Sequence, residues 1–452
     1  MINIALLDVA KAVGGVLVGN PSAFIKGVSI DSRKISAKNL YIPIIGEKND
    51  GHDYIEDVIK KHVSCILVQE DHQRPNDKNV TYIVVKDTFK ALQDLAKYYI
   101  NIINPYVIAV TGSNGKTSAK DMLCAIMSKK YKTAKTSGNH NNEIGVPLSI
   151  LEFDKDIKCA VIEMGVEYQG DIDELCEIVK PDVSLITFIG SAHMLNFHNS
   201  KRKIAEAKLE IYTNLKKNGY MFYNSESEEL ESELRYLKDS TKPFYGFGEG
   251  SELTLSNKIR FNDGYTVFNC SAFKDPIYIK SLGRHQAMNA LGCIGIGLKE
   301  GISKEDIIDA LKNLTFEKMR CEIVKYGDSI IIDDSYKSNP ESVYAALDVL
   351  KQFKNYIKVI CLSDMLELGS NEIKMHKEVG KYIKKSNIRY NLICTGELSE
   401  YTAEKGDGKW FETKLECANY LKKYKNKKAV ILIKGSRATG MDEVVKLLKE
   451  NL

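Results

Sequence analysis

The stretch VIAVTGSNGKTSAKDML, residues 107–123, decides the fold of the chain around it. An apolar run with strand character meets a Gly-rich turn, and Lys116, Thr117 and a helical segment follow. Strand, glycine loop and helix in that order build a phosphate cradle. The glycines let backbone N–H groups approach phosphate oxygens at a helix N-terminus, whose dipole favours anions. The usual motif is G-x-x-x-x-G-K-[ST], and its first position is Val110 here. Gly112, Ser113, Asn114, Gly115, Lys116, Thr117 and Ser118 keep the part of the motif that reaches ATP. Lys116 is expected between the β- and γ-phosphates, and the Thr117 hydroxyl on Mg2+.

Apolar strands recur on both sides of this loop. YVIAVTG, KCAVIEMG and VSLITFIG alternate with helical segments between residues 105 and 315. Such runs predict a parallel sheet covered on both faces. From 316 to 452 a second alternation appears, in SIIIDDS, IKVICLSD, YNLICTG and KAVILIKGS, and predicts an open Rossmann-like α/β sheet. Residues 1–104 hold short strand-like runs, VSIDSR, LYIPI, CILVQE and TYIVVK, and close on the helical ALQDLAKYYINII, with Asn104-Pro105 as a linker. The expectation is three α/β domains: a small front domain at 1–104, a central P-loop domain at 105–315 and a C-terminal domain at 316–452.

Composition narrows the functional class. A chain of 452 residues with 44% apolar and 27% charged residues has the balance of a globular protein of more than one core. A net charge of +4 is small for this length and argues against a nucleic-acid partner. The one basic run, LKKYKNKK at 421–428, reads as a solvated helix end before a strand. Ten cysteines are scattered without a C-x-x-C pair, so neither zinc nor a disulfide framework is expected. The N-terminus lacks a basic, cleavable leader pattern, and no apolar run reaches the roughly 20 residues of a membrane span. A reducing cytoplasm is the expected compartment, and a monomer the expected state.

Two strand ends point at the same sheet edge as the loop. Glu163 follows CAVI, where an open α/β sheet delivers residues to its ligand-binding edge. A carboxylate beside a phosphate loop is a natural Mg2+ ligand. His193 ends the next strand, FIGSAH. Lys208, in KIAEAKLEI, reads by itself as a solvated helical lysine.

Taken in order, TGSNGKT (111–117), GNHNNEIGVPLSIL (138–151), IEMG around 163, IGSAH (189–193), AEAKLEI (205–211), GRHQAMNAL (283–291), IIDDSYKSNPES (331–342), LSDMLELGS (362–370) and KGSR (434–437) resemble the Mur ligase family. DSRK and GEKNDGHDYI, between 31 and 55, resemble its uridine-nucleotide-binding front domain. Among the branches, the chain is most similar to the one that adds D-Ala-D-Ala to UDP-MurNAc-tripeptide in peptidoglycan precursor synthesis. That family writes its phosphate loop without the leading glycine.

The resemblance implies a reaction: ATP phosphorylates a carboxylate to an acyl phosphate, an amine attacks, and phosphate leaves. It also implies roles. Thr117 and Glu163 would bind a first Mg2+, with Glu163, His193 and a carbamylated Lys208 at a second. Asn289 would contact adenine, Asp334 the ribose side, and Arg320 the γ-phosphate. Lys116, His193, Lys208 and Arg320 form the implied catalytic set. Ser29, Asp31, Ser32, Arg33, Asp50, Gly51 and His52 would line the nucleotide-sugar pocket, and Asn139, Asn141 and Asn142 would face the nucleotide peptide. Gripping ATP from two domains implies domain closure.

Departures from the family pattern gather on the substrate side. Tyr336-Lys337-Ser338-Asn339-Pro340 stands where Y-N-A-N-P is common, and Gly165-Val166-Glu167-Tyr168-Gln169-Gly170 where G-A-N-H-P-G is common. Ser118 replaces the usual Thr. The D-[ND]-P-R-like motif of the branch that adds the third residue is absent. A paralogue with another amine acceptor, a folylpolyglutamate-synthetase-like enzyme and a non-catalytic ATP-binding switch remain as alternatives at this level.

Overall fold

A computed structural model describes residues 4–191, 194–237, 241–256, 259–262, 264–386 and 388–450. The chain folds into three α/β units. In the first, a five-stranded sheet runs Val16–Val18, Thr81–Val85, Cys65–Gln69, Asn39–Tyr41 and Gly27–Ser29 from edge to edge. Only Val16–Val18 pairs antiparallel.

The helix Thr88–Ile103 starts on Asp87, whose side chain accepts from the Lys90 N–H, and ends on Asn104 in the left-handed region at φ 45°. It buries Leu92, Leu95, Ala96, Tyr99 and Ile100 on one stripe. That stripe packs on the next unit rather than only on its own sheet. The Tyr99 hydroxyl donates to the Phe153 carbonyl at 2.7 Å, and one apolar core runs from Ile4 to Leu234 across the Asn104-Pro105 junction. This helix therefore couples the first unit to the second.

The central unit is a six-stranded parallel sheet in the order Phe244–Phe247, Tyr220–Asn224, Val183–Ile186, Tyr106–Thr111, Cys159–Glu163 and Thr133–Lys135. The phosphate-loop strand lies inside it, flanked by the strands that lead to Glu163 and to residue 187. Apolar cores cover both faces, as continuous apolar strands require. The strand–helix alternation does not extend through the whole unit, which corrects the sequence reading. Arg260–Asn262, Tyr265–Cys270 and Phe273–Ile279 form a separate antiparallel sheet. Its middle strand alternates half-buried and buried residues, the mark of a sheet with one face on a core.

The third unit orders Glu322–Tyr326, Ser329–Asp334, Ala429–Lys434, Ile357–Leu362, Tyr390–Thr395 and Lys409–Phe411. The first of these is an antiparallel edge, joined by a hairpin through Gly327-Asp328; the rest are parallel. No helix among the described residues is long and apolar enough to cross a membrane.

Candidate active site

Val110 is fully buried within the strand, level with Glu163 on one side and Leu185 on the other. Glycine there would cost about 0.5–1 kcal/mol in chain entropy relative to alanine, and would also forgo the buried valine. The glycines that matter lie beyond the strand. Gly112 has φ 148°, and a Cβ on it would lie 2.0 Å from the Thr187 hydroxyl. Gly115 has φ 85°, and a Cβ there would run into the Asn289 amide at 2.5 Å. The loop is braced from the neighbouring strand end. The Ser113 N–H donates to the Phe188 carbonyl at 2.7 Å, and the Thr187 hydroxyl donates to the Asn114 carbonyl at 2.6 Å.

Lys116 starts the following helix and donates to the Gly112 carbonyl at 2.7 Å, folding over the loop. Burial, then the nearby Lys337 ammonium, lowers its pKa to about 7, with Glu163 opposing and Arg320 adding to the fall. Thr117 is buried beside it. Glu163 is buried at the strand end. Its Oε1 accepts from the Asn141 amide at 2.8 Å, its N–H donates to the Thr136 hydroxyl, and its Oε2 has no hydrogen-bond donor. The nearest cation to that oxygen is Lys120, at 3.6 Å.

The helix Lys201–Thr213 turns Lys208 inward, and the reading of a solvated lysine is corrected: Lys208 is 2% exposed. Among the described residues no hydrogen bond or ion pair meets its amine. Burial, reinforced by the charges of Lys116 and Lys337, holds its pKa well below the usual lysine range. A lowered pKa enlarges the unprotonated fraction of the amine, the form that acts as a nucleophile.

The third unit closes the site. Asn114 of the loop and Asn339 exchange two amide hydrogen bonds, at 3.2 and 3.0 Å. Asn339 also caps the helix Pro340–Lys351. Glu341 accepts from the Ser191 hydroxyl at 2.7 Å and pairs with Lys201 at 3.1 Å. Between the two units lies a cavity of about 330 Å³, to which Asn114, Gly115, Ser118, Asn289, Arg320 and Asp334 all contribute. Arg320 lays its guanidinium on the Tyr336 ring, 4.0 Å from the centroid, and its Nε is buried without a partner. Both of its neighbours, Met319 at φ 62° and Cys321 at φ 55°, are left-handed, a costly backbone that aims this side chain. Asp334, at the end of its strand, accepts from Lys434 at 2.7 Å.

In the first unit, Ser29 and Asp31 form a local turn, and Arg33 clamps Asp31 with two bonds of 2.9 Å. That clamp lowers the Asp31 pKa to about 2. Lys61 donates to the carbonyls of Ser32 and Arg33. Tyr41 ties this turn to the other predicted segment. Its hydroxyl donates to the Gly51 carbonyl at 2.9 Å, and burial, then the charges of Asp31, Tyr54 and Asp50, push its pKa up to about 12.

Asp50, His52 and His72 have donor atoms within 4.8 Å of one another, a spacing that could hold a metal ion. The hydrogen bonds assign another role. The Gln69 N–H donates to His52 Nε2, so Nδ1 carries the proton and donates to Asp50 at 2.7 Å. Both nitrogens of His72 face carboxylates, Asp71 and Asp50. Burial works against its charge, but those two carboxylates hold its pKa above the usual histidine value. The cluster orients Asp50 from two sides.

The structure thus gathers Lys116, Thr117, Glu163, Lys208, Asn289, Arg320 and Asp334 about one domain cleft. Asn141 reaches Glu163, whereas Asn142 accepts from the Gly145 N–H at the next helix start, and Asn139 is exposed in the loop. His193 lies outside the described residues. Sequence reasoning passed over Lys120, which is wholly buried, donates to the Gly138 carbonyl at 2.8 Å and lies 3.5 Å from Glu317. Its place one helical turn after Lys116 was the available signal. Lys337, noted only as a departure, is a half-buried cation that lowers the pKa of both Lys116 and Lys208.

Family models match along the chain: "Mur ligase family, catalytic domain" at residues 24–100, "Mur ligase middle domain" at 110–297, and "Mur ligase, glutamate ligase domain" at 319–437. The chain is 36% identical to the UDP-N-acetylmuramoyl-tripeptide–D-alanyl-D-alanine ligase of Bacillus subtilis (strain 168), over 100% of this chain and 99% of that protein. Its fold is similar to MurF from Acinetobacter baumannii, with a TM-score of 0.91, 29% identity and 99% of each chain covered. A MurF ligase from Thermotoga maritima in complex with ADP aligns with a TM-score of 0.83 and 26% identity, over 94% of this chain and 98% of that one.

Proposed function

The chain belongs to the Mur ligase family, and from that premise we propose that it joins D-Ala-D-Ala to UDP-MurNAc-tripeptide at the cost of ATP, through an acyl phosphate. The observation that carries this reading is the crowding of cations onto one carboxylate-bearing cleft. Lys116, Lys337 and Arg320 come from two domains and surround the point where the phosphate loop, Glu163 and Lys208 meet.

A carboxylate is a poor electrophile because its leaving group would be oxide. The carboxylate oxygen attacks the γ-phosphorus and ADP leaves with the bridging oxygen; bringing these two anions together needs clustered positive charge. Lys116 and Arg320 supply that charge from opposite walls. The acyl phosphate then offers the amine a good leaving group, and inorganic phosphate departs with one former carboxylate oxygen. The Asn114–Asn339 contact ties the phosphate loop to the third unit at this cleft.

The residues fit a divalent cation. Glu163 presents a buried oxygen without a donor, and Thr117 a buried hydroxyl at the loop. These two would hold Mg2+, with His193 and a carbamylated Lys208 available for a second ion. Such a cation neutralises charge between the phosphates and the carboxylate. Ser29, Asp31, Ser32, Arg33, Asp50, Gly51 and His52 form the proposed nucleotide-sugar pocket, with Asn139 and Asn141 toward the peptide.

Phosphate release tests the assignment. It should need both UDP-MurNAc-tripeptide and D-Ala-D-Ala; release with ATP alone, or with glutamate and a folate, would contradict it.

A second prediction follows from Lys116. Its pKa is about 7 when the site holds no ligand, against an ordinary 10.5. Above pH 7 the amine is mostly neutral, and a bound polyphosphate restores its charge. Nucleotide binding at pH 8 should therefore take up close to one proton per site through this residue. Calorimetry in buffers of different ionisation enthalpy reads that number. Lys116→Met should lose the uptake, and an unchanged proton count in the variant would refute the role.

A further inference from the structure

The third unit carries a second, larger cavity at the other end of its sheet. It lies where the strands Ile357–Leu362, Tyr390–Thr395 and Ala429–Lys434 begin, whereas Asp334 and the ATP-side cavity lie where the parallel strands end. A six-residue strand spans about 20 Å, so the two cavities are separate. The volume is about 1380 Å³.

Its lining is far from the average of the chain. The whole sequence has 64 Lys and Arg against 60 Asp and Glu. Seven of the sixteen lining residues are Lys or Arg, none is Asp or Glu, and four are Tyr. Some of the charge is engaged. Lys351 pairs with Asp348 at 2.5 Å, Lys358 donates to the Phe353 carbonyl, and Lys423 lies 3.5 Å over the Tyr420 ring. Lys354, Lys385, Arg389 and Lys427 are exposed, with no carboxylate partner among the described residues. The run LKKYKNKK is therefore only one wall of a cleft whose other walls come from residues 351–358, 385–386 and 388–391.

Like charges gathered in a concave cleft raise its potential and concentrate anions. Tyrosine phenols add O–H donors and flat faces on which a cation or an aromatic ring can rest. A concave shape suits a compact anion better than a flat lipid surface. We propose that this cleft binds a multiply charged phosphate anion of small-molecule size, independently of the ATP site. Arg389 supplies the fork that fits phosphate oxygens, and Lys354, Lys385 and Lys427 supply point charges around it.

Inorganic tripolyphosphate is the probe, and full-length Lys116→Ala protein removes the phosphate loop as a competing site. At 50 mM salt this protein should bind one tripolyphosphate saturably. Affinity should fall at least about tenfold on adding Lys354→Glu and Arg389→Glu, and should also fall between 50 and 200 mM salt. In the wild-type background the same pair should leave ligase turnover unchanged, which shows that the fold is intact; Lys354→Gln with Arg389→Gln should give an intermediate loss. The proposal is overturned by an absence of saturable binding, by binding that disappears with Lys116→Ala alone, or by affinity indifferent to the double charge reversal. Tighter binding to a single-stranded oligouridylate of equal charge, or to vesicles of anionic phospholipid, would also overturn it in favour of a macromolecular surface.

Discussion

Arg320→Ala should lower kcat about a hundredfold or more, equivalent to about 2.7 kcal/mol of lost transition-state stabilisation, while the thermal transition moves little. The residue is held for a purpose other than stability. Its guanidinium rests on Tyr336, its Nε is buried unpaired, and two left-handed neighbours fix its direction. A protein selected for stability alone would relax the unpaired Nε and the two left-handed neighbours. Removing the side chain deletes the charge that the third unit brings to the cleft, and leaves the phosphate loop and Glu163 untouched. The loss should appear in kcat more than in the KM for ATP, because the charge acts where negative charge builds up. Arg320→Lys should recover only part of the rate, since an ammonium lacks the fork and the flat stacking face. A kcat near wild type in Arg320→Ala would remove the third unit from the chemistry.

Lys208→Met should abolish most turnover, by about two to three orders of magnitude, and should raise the melting temperature of the nucleotide-free protein. The second half follows from burial. An amine that is 2% exposed and has no partner among the described residues is costly to bury, and a methionine of similar length removes that cost. The first half follows from the proposed carbamate. The unprotonated amine would attack CO2, forming the N–C bond and releasing a proton, and the resulting carbamate anion would be favoured by the charges of Lys116 and Lys337. Wild-type turnover should fall in CO2-depleted buffer and return with bicarbonate, whereas Lys208→Ala should respond to formate or acetate and not to bicarbonate. Full activity in Lys208→Met, or a wild-type enzyme indifferent to CO2, would show an ordinary structural lysine.

Much of this architecture was legible before any coordinates. Runs such as VIAV, CAVI and AVILI carry apolar residues at every position, which only a sheet covered on both faces can use, so both parallel sheets could be read directly. The strand ends placed Glu163, and the loop chemistry placed Lys116 and Thr117. Other features depend on contacts that no local pattern encodes. Arg260–Asn262, Tyr265–Cys270 and Phe273–Ile279 pair antiparallel through short, half-buried strands whose alternation is brief and interrupted by a bulge. The burial of Lys208 could not be read from a helix whose sequence suits water equally well; tertiary packing turned it inward. Lys337 looked like a substitution in a loop, and is a site cation only because the third unit packs on the central one. The basic cleft is assembled from three separate segments, so its charge is invisible in any one of them.

The central claim is that the γ-phosphate activates a carboxylate, and one isotope measurement tests it. UDP-MurNAc-tripeptide carrying 18O in the carboxylate that is joined should be incubated with ATP, Mg2+ and D-Ala-D-Ala, and the released phosphate analysed by mass spectrometry. An acyl-phosphate route transfers one 18O into each inorganic phosphate and keeps the other in the new amide carbonyl. Phosphate that contains no 18O, while ATP is still consumed, would mean that water and not the carboxylate attacks the nucleotide, and the ligase mechanism proposed for this cleft would be wrong.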